Sequence, residues 1–179
     1  IVTVIRDITE NVRAEQKLRE SEARFKETLD LLPTIVVEFD IKGVATYVNS
    51  RAYEVLGYDP IDMDLEKGFR ITQLLLPEEQ EKHVDRFSRM LKGGKVEPIE
   101  YRLLRKDGST IIALVTSFPI YKDGKVIGVR STATDITKRK RMEDALKESV
   151  EKYRLVVENA NEGIIVTQDG MLKFVNPRA

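Results

Sequence analysis

Self-similarity at a fixed offset constrains this chain more than any single motif does. Asp7-Ile8-Thr9 returns as Asp135-Ile136-Thr137, 128 positions later, and the register holds beyond it. Arg13 matches Arg141, Glu15 matches Glu143, Leu18 matches Leu146, Glu20-Ser21 matches Glu148-Ser149, and Phe25 matches Tyr153. One residue drops out at a turn, Asp40 to Gly43 against Asp169-Gly170; Val48-Asn49, Arg51 and Ala52 then match Val175-Asn176, Arg178 and Ala179. Agreement this frequent in one register marks a repeating unit. The chain divides into the last strand of one unit (1–9), a linker helix (10–30), a complete unit (31–137), a second linker helix (138–158) and the start of a third unit (159–179). Opening at Ile1 and stopping at Ala179 in mid-pattern, it reads as a piece of a longer protein.

Within the unit the period of the pattern changes from helix to strand and back. Residues 10–30 lack Gly and Pro and carry Glu15/Arg19, Glu20/Arg24 and Glu22/Lys26 at helical i,i+4 spacing. Leu18, Phe25 and Leu32 recur every seven residues, as Leu146, Tyr153 and Ala160 do in the second copy, a short a/d seam suited to pairing helices in a homodimer. The alternative is an amphipathic helix lying on its own domain. Residues 34–40 and 44–49 bracket an Ile41-Lys42-Gly43 turn and predict a hairpin. Asn49 is placed to cap a helix from Ser50 to Leu56, which Gly57 ends. Pro77, with Glu78 and Glu79 in the first turn, opens another helix that Gly93-Gly94 closes. Three β-rich runs follow, about 96–106, 109–121 and 125–136, separated by Asp107-Gly108 and Asp123-Gly124. Together these predict an α+β unit, an antiparallel sheet with helices on one face.

Composition removes several functions. The 30 basic residues balance 30 acidic ones, so the charge does not suit a chain built to bind nucleic acid. The basic run Lys138-Arg139-Lys140-Arg141 meets Glu143 and Asp144 at once and holds no aromatic residue for stacking, which makes it a solvated helix start. With no cysteine, disulfides, thiol catalysis, iron–sulfur clusters and cysteinyl–flavin adducts are excluded; the lack also fits a cytoplasmic setting. No apolar run approaches the ~18 residues a membrane span needs, which leaves open an anchor elsewhere in the parent protein. His83 is the only histidine, and neither a nucleophile elbow nor a phosphate-cradling glycine loop is present, so no catalytic residues are assigned. Asp62, Asp64 and Glu66 imitate half a calcium loop, but Lys67 stands where its glycine belongs and Gln73 where its bidentate acid belongs, so no metal site is assigned.

Tyr47-Val48-Asn49, Ala52 and Gly57-Tyr58 after a first hairpin resemble the front half of a PAS domain. Tyr101-Arg102, Arg105-Lys106-Asp107-Gly108, Tyr121-Lys122-Asp123-Gly124, Gly128 and Asp135-Ile136-Thr137 resemble its back half. The resemblance covers about residues 22–137 and implies a five-stranded antiparallel sheet with helices over one face, enclosing a small pocket. It also implies a sensor or interaction role in signalling. Tandem units joined by charged helices look like the input half of a sensor histidine kinase, with adjacent PAS units and an output domain in the same chain.

By alternation the pocket-facing candidates are Val37, Phe39, Tyr101, Val115 and Val129 from strands, with His83, Phe87 and Met90 from the Pro77 helix. The plain alternative is that they fill a core with no cofactor. A colourless metabolite, a non-covalent flavin or a haem are the other occupants left open. In PAS haem sensors the axial histidine falls seven residues after the corresponding proline; here that position is Val84, and His83 is one residue early, about 100° around the helix. Asp135-Ile136-Thr137, with its twin Asp7-Ile8-Thr9, resembles the joint that passes strain from sheet to output helix. The incomplete units at the two ends predict that residues 1–9 pair with 163–176, within or between chains.

Overall fold

The computed structural model describes residues 9–179. Asp7 and Ile8, and the pairing expected of residues 1–9, lie outside the described residues; Thr9 is the first residue of helix α1, Thr9–Asp30. Then follow β1 (Ile35–Asp40), β2 (Ala45–Val48), α2 (Ser50–Leu56), a 3-10 turn (Ile71–Leu74), α3 (Pro77–Leu91), β3 (Ile99–Leu104), β4 (Thr110–Lys122) and β5 (Lys125–Asp135). A second compact unit begins at Thr137 and holds α4 (Thr137–Glu158), β6 (Ile165–Gln168) and β7 (Met171–Val175).

The first unit is an antiparallel five-stranded sheet in the order β2-β1-β5-β4-β3. Turn chemistry sets the hairpin pairs within that order. Asp123 and Gly124 both adopt positive φ, 49° and 74°, so Lys122 and Lys125 face each other across a two-residue turn whose twist matches that of the strands. In the first hairpin Asp40 Oδ1 accepts from the backbone N–H of Lys42 and of Val44, at 2.8 and 2.9 Å, and turns the chain. One sheet face carries Ile35, Val37, Phe39, Tyr101, Leu103, Ala113 and Ala133 into the core, where Ala52, Leu56, Met63, Phe69, Leu74 and Leu75 from the β2–β3 connection pack on them. Pro77 stands at the first position of α3, and Gly57 ends α2 in the left-handed conformation.

Asn49 departs from its expected role. Its side chain does not cap α2. It is fully buried: Oδ1 accepts from the Val36 N–H at 2.9 Å, and Nδ2 donates to the carbonyls of Leu29 and Thr34 at 2.9 and 3.0 Å. The amide thus ties the last turn of α1 to β1. Asp30 performs the capping instead, its Oδ1 accepting from the Ser50 N–H at 2.7 Å. Asn176 has the same set in the second unit, accepting from Ile164 N–H and donating to the carbonyls of Val157 and Glu162; these three partners lie 128 positions beyond their counterparts, and Asn176, past the dropped residue, lies 127 beyond Asn49. There β6 and β7 pair with each other around another Asp-Gly turn, Asp169-Gly170.

Candidate functional site

Between the inner sheet face and the covering helices lies a cavity of about 50 Å³. On a scale where one water takes roughly 10–15 Å³, that is space for about three to five waters. Of the residues picked out by strand and helix periodicity, Val37, Phe39, His83, Met90, Tyr101 and Val115 line it. Phe87 and Val129 do not line it. Val129 is fully buried opposite Phe39 in the β1–β5 ladder, and Phe87 meets the Phe39 ring edge-on at 6.4 Å.

The polar groups of the wall are few. Ser117 and Ser131 face each other across β4 and β5 and share one hydrogen bond of 2.8 Å between their hydroxyls. Tyr101, 4% exposed, has a buried hydroxyl whose proton finds no acceptor. Burial pushes its pKa up; the Arg86 guanidinium opposes that rise but, as a donor only, cannot take the proton. Arg86 also lines the cavity and donates to the Glu97 carbonyl. His83 stacks on Phe87 at 6.1 Å and meets Tyr101 edge-on at 5.9 Å. Burial, and secondly the Arg86 charge, lower its pKa to about 4, so the imidazole is neutral near pH 7.

That shift makes a pH prediction. A folded-state pKa of about 4 against 6.5 for the free side chain means that the unfolded chain binds this proton more readily. The cost is absent above pH 6.5, grows as pH falls, and is complete below about 4, at roughly 3 kcal/mol. His83→Gln does not titrate, so its stability relative to the native chain rises by about that amount between pH 7 and pH 4. Urea unfolding of both proteins at the two pH values measures the difference, and an unchanged gap contradicts it.

The volume bears on the cofactors left open. A porphyrin or an isoalloxazine does not fit a space of about 50 Å³ without displacing its walls. The neutral, stacked His83 makes ring contacts on two sides. With its walls as they stand, the cavity does not admit haem or flavin.

The Asp135-Ile136-Thr137 joint continues the cavity wall. Ser131 and Ala133 of β5 line the cavity; two residues on, Asp135 pairs with Arg105 at 3.6 Å. Ile136 is buried, its N–H donating to the Ile112 carbonyl at 2.8 Å, and α4 starts at Thr137. The seam residues of the linker helices are exposed: Leu18 and Phe25 on α1, Leu146 at 67% and Tyr153 at 71% on α4. Phe25 also lies beneath the Arg130 guanidinium, 5.6 Å from its ring centre, so α1 touches the sheet as well. In the acidic loop Asp62 pairs with Lys106 at 2.7 Å and Asp64 with Lys67 at 2.9 Å. Among the described residues no helix is long and apolar enough to cross a membrane.

Sequence reasoning missed Arg86, Ser117 and Ser131 in the wall. Arg86 had a signal, lying three residues from His83 and so on the same helix face. The serines had one in their alternation with Val115 and Val129.

Comparison with known proteins agrees with this architecture. A family model described as PAS domain matches residues 33–138, and a second PAS domain model matches residues 151–179. The chain is 31% identical over 138 residues to sporulation kinase A of Bacillus subtilis, which covers 76% of the chain and 22% of the kinase. It is 26% identical over 168 residues to an uncharacterised protein of Sinorhizobium fredii, covering 93% of the chain and 20% of that protein. The chain therefore spans about a fifth of the length of these curated relatives. Among solved structures, the PAS domain of an HTR-like protein from Haloarcula marismortui superposes with a TM-score of 0.57 at 25% identity, covering 69% of this chain and 98% of that one. A sensory box histidine kinase/response regulator from Burkholderia thailandensis shares the fold, with a TM-score of 0.54 at 20% identity over 74% of this chain and 98% of that one. A five-stranded antiparallel sheet roofed by short helices over a small cavity, together with a family match over more than half its length, makes this chain a member of the PAS domain family.

Proposed function

We propose that the unit of residues 31–137 is the sensory module of a multi-PAS signalling protein. In this reading the state of its cavity passes along β5 into α4, and from there to an output domain of the histidine kinase kind. The observation that carries the proposal is the continuity of β5. The strand that supplies Ser131 and Ala133 to the cavity wall also supplies Asp135 and buried Ile136, directly before the 22-residue helix α4. A change in the wall thus reaches the root of that helix through covalent structure and two tertiary anchors, the Arg105 ion pair and the Ile136 packing. The relation to sporulation kinase A supports a kinase parent. The exposed seams of α1 and α4 support pairing with a second copy. The small volume favours one rival, a ligand-free spacer that only dimerises and sets length.

Filling the cavity separates the two without any ligand. Ser117→Leu changes the wall on β4, away from the joint. A relay makes amide exchange over residues 135–141 change by about threefold or more, and adding Ile136→Ala removes that change. A spacer confines the change to residues around Ser117, and that outcome rejects the relay.

A further inference from the structure

The cavity's polar groups are arranged for an anion. The Arg86 guanidinium commits one of its N–H groups to the Glu97 carbonyl and pairs with no carboxylate among the described residues. The nearby acid, Glu79, is held by Arg102 at 3.2 Å. Beside Arg86 stands the Tyr101 hydroxyl, buried, on the cavity wall, and with no acceptor for its proton. Buried donors of this kind are rare because each costs free energy until a partner arrives. The neutral His83 adds no second positive charge, and the Ser117 and Ser131 hydroxyls are engaged with each other through one hydrogen bond. The rest of the wall is aliphatic and aromatic, including Ile35, Val37, Leu74 and Leu103.

We propose that the cavity binds a small monocarboxylate with a short aliphatic tail, its carboxylate taking the hydrogen bonds of Arg86 and Tyr101 and its tail lying on the apolar wall. This rests on the reading of the cavity as a sensory site and names its ligand class. A planar carboxylate can accept from the guanidinium fork and the phenol together. The volume of about 50 Å³ limits the tail to a few carbons. A dicarboxylate has no second cation in the wall to meet its other charge, and an amine faces Arg86. A neutral alcohol of the same length leaves the guanidinium without a counter-charge.

The test is an amide NMR titration of the chain with sodium n-butyrate, n-butanol and disodium succinate at constant ionic strength. Butyrate is expected to give saturable shifts at Tyr101, Ser117 and Ser131, with butanol and succinate weaker by about tenfold or more. Tyr101→Phe, which keeps the ring and its packing, and Arg86→Gln each weaken butyrate by about tenfold while leaving amides of the second unit in place. Absence of saturable shifts at the cavity overturns the proposal. So does equal binding of butanol, or butyrate affinity unchanged in both variants. Its failure is separable from that of the relay, because the Ser117→Leu exchange measurement uses no ligand. Butyrate binding without movement at 135–141 keeps the ligand class and rejects the relay, whereas the reverse pattern keeps the relay and rejects the ligand class.

Discussion

Asn49→Ala lowers the unfolding free energy by about 3–5 kcal/mol, among the largest effects expected of any single substitution here. The reason is the number of groups it strands. The Val36 N–H loses its partner at a buried site, where water cannot replace it without opening the fold. At half-buried positions the Thr34 carbonyl loses its partner too, and the Leu29 carbonyl keeps only the Leu32 N–H at 3.3 Å. Each buried group left unpaired costs about 1–3 kcal/mol, and the lost packing adds to that. Thermal unfolding should fall by about 10 °C or more. The location of the damage is as diagnostic as its size. Exchange protection should fail first at Val36 and in the last turn of α1, because Asn49 holds that turn against β1. Asn49→Asp retains the acceptor for Val36 but sets a carboxylate against two carbonyl oxygens, so it should be nearly as harmful at neutral pH and less so in acid, where a protonated acid can donate again. A neutral or mildly destabilised Asn49→Ala protein contradicts this account.

Gly128→Ala should cost about 2–4 kcal/mol, for a reason that owes nothing to conformational freedom. A Cβ at Gly128 falls 2.3 Å from the carbonyl oxygen of Phe39, a separation that backbone must move to relieve. Gly128 sits opposite both Asp40 and Ile120, beside the irregularity at Ile120 and Tyr121. The displacement therefore strains two ladders at once and moves Phe39, part of the cavity wall. The expected result is a lower urea midpoint with an unchanged slope, together with amide shifts concentrated at Phe39, Asp40 and Ile120. By contrast, Gly124→Ala meets no atom within 4 Å and is harmful only through its positive φ. Equal cost at the two positions would show that the close approach to Phe39 does not matter.

These two residues show how legibility divides. Gly128 was readable as part of a family pattern, but its purpose, clearance for the Phe39 carbonyl, belongs to strands distant in sequence. Asn49 was read by its local geometry as a helix cap, a role its position permits; the buried Val36 N–H and the carbonyls of Leu29 and Thr34 drew its side chain the other way, and Asp30 took the cap. The recurrence of the pair as Asn176 was visible in the sequence and was a better guide than the cap rule, because a repeat reports shared three-dimensional demands.

By itself the sequence determined the order of helices and strands, the positions of the Asp-Gly turns and the side of each strand that faces inward. All of these follow from interactions between near neighbours: hydrogen-bond spacing along a helix, alternation along a strand, and the φ that a turn requires. Only the tertiary structure decided which inward side chains share a cavity. It brought Arg86 beside Tyr101, paired Ser117 with Ser131, set Phe87 edge-on against Phe39, and left Phe87 and Val129 out of the cavity wall. Such meetings depend on how layers from distant parts of the chain fill volume against one another, and packing of that kind leaves no period in the sequence.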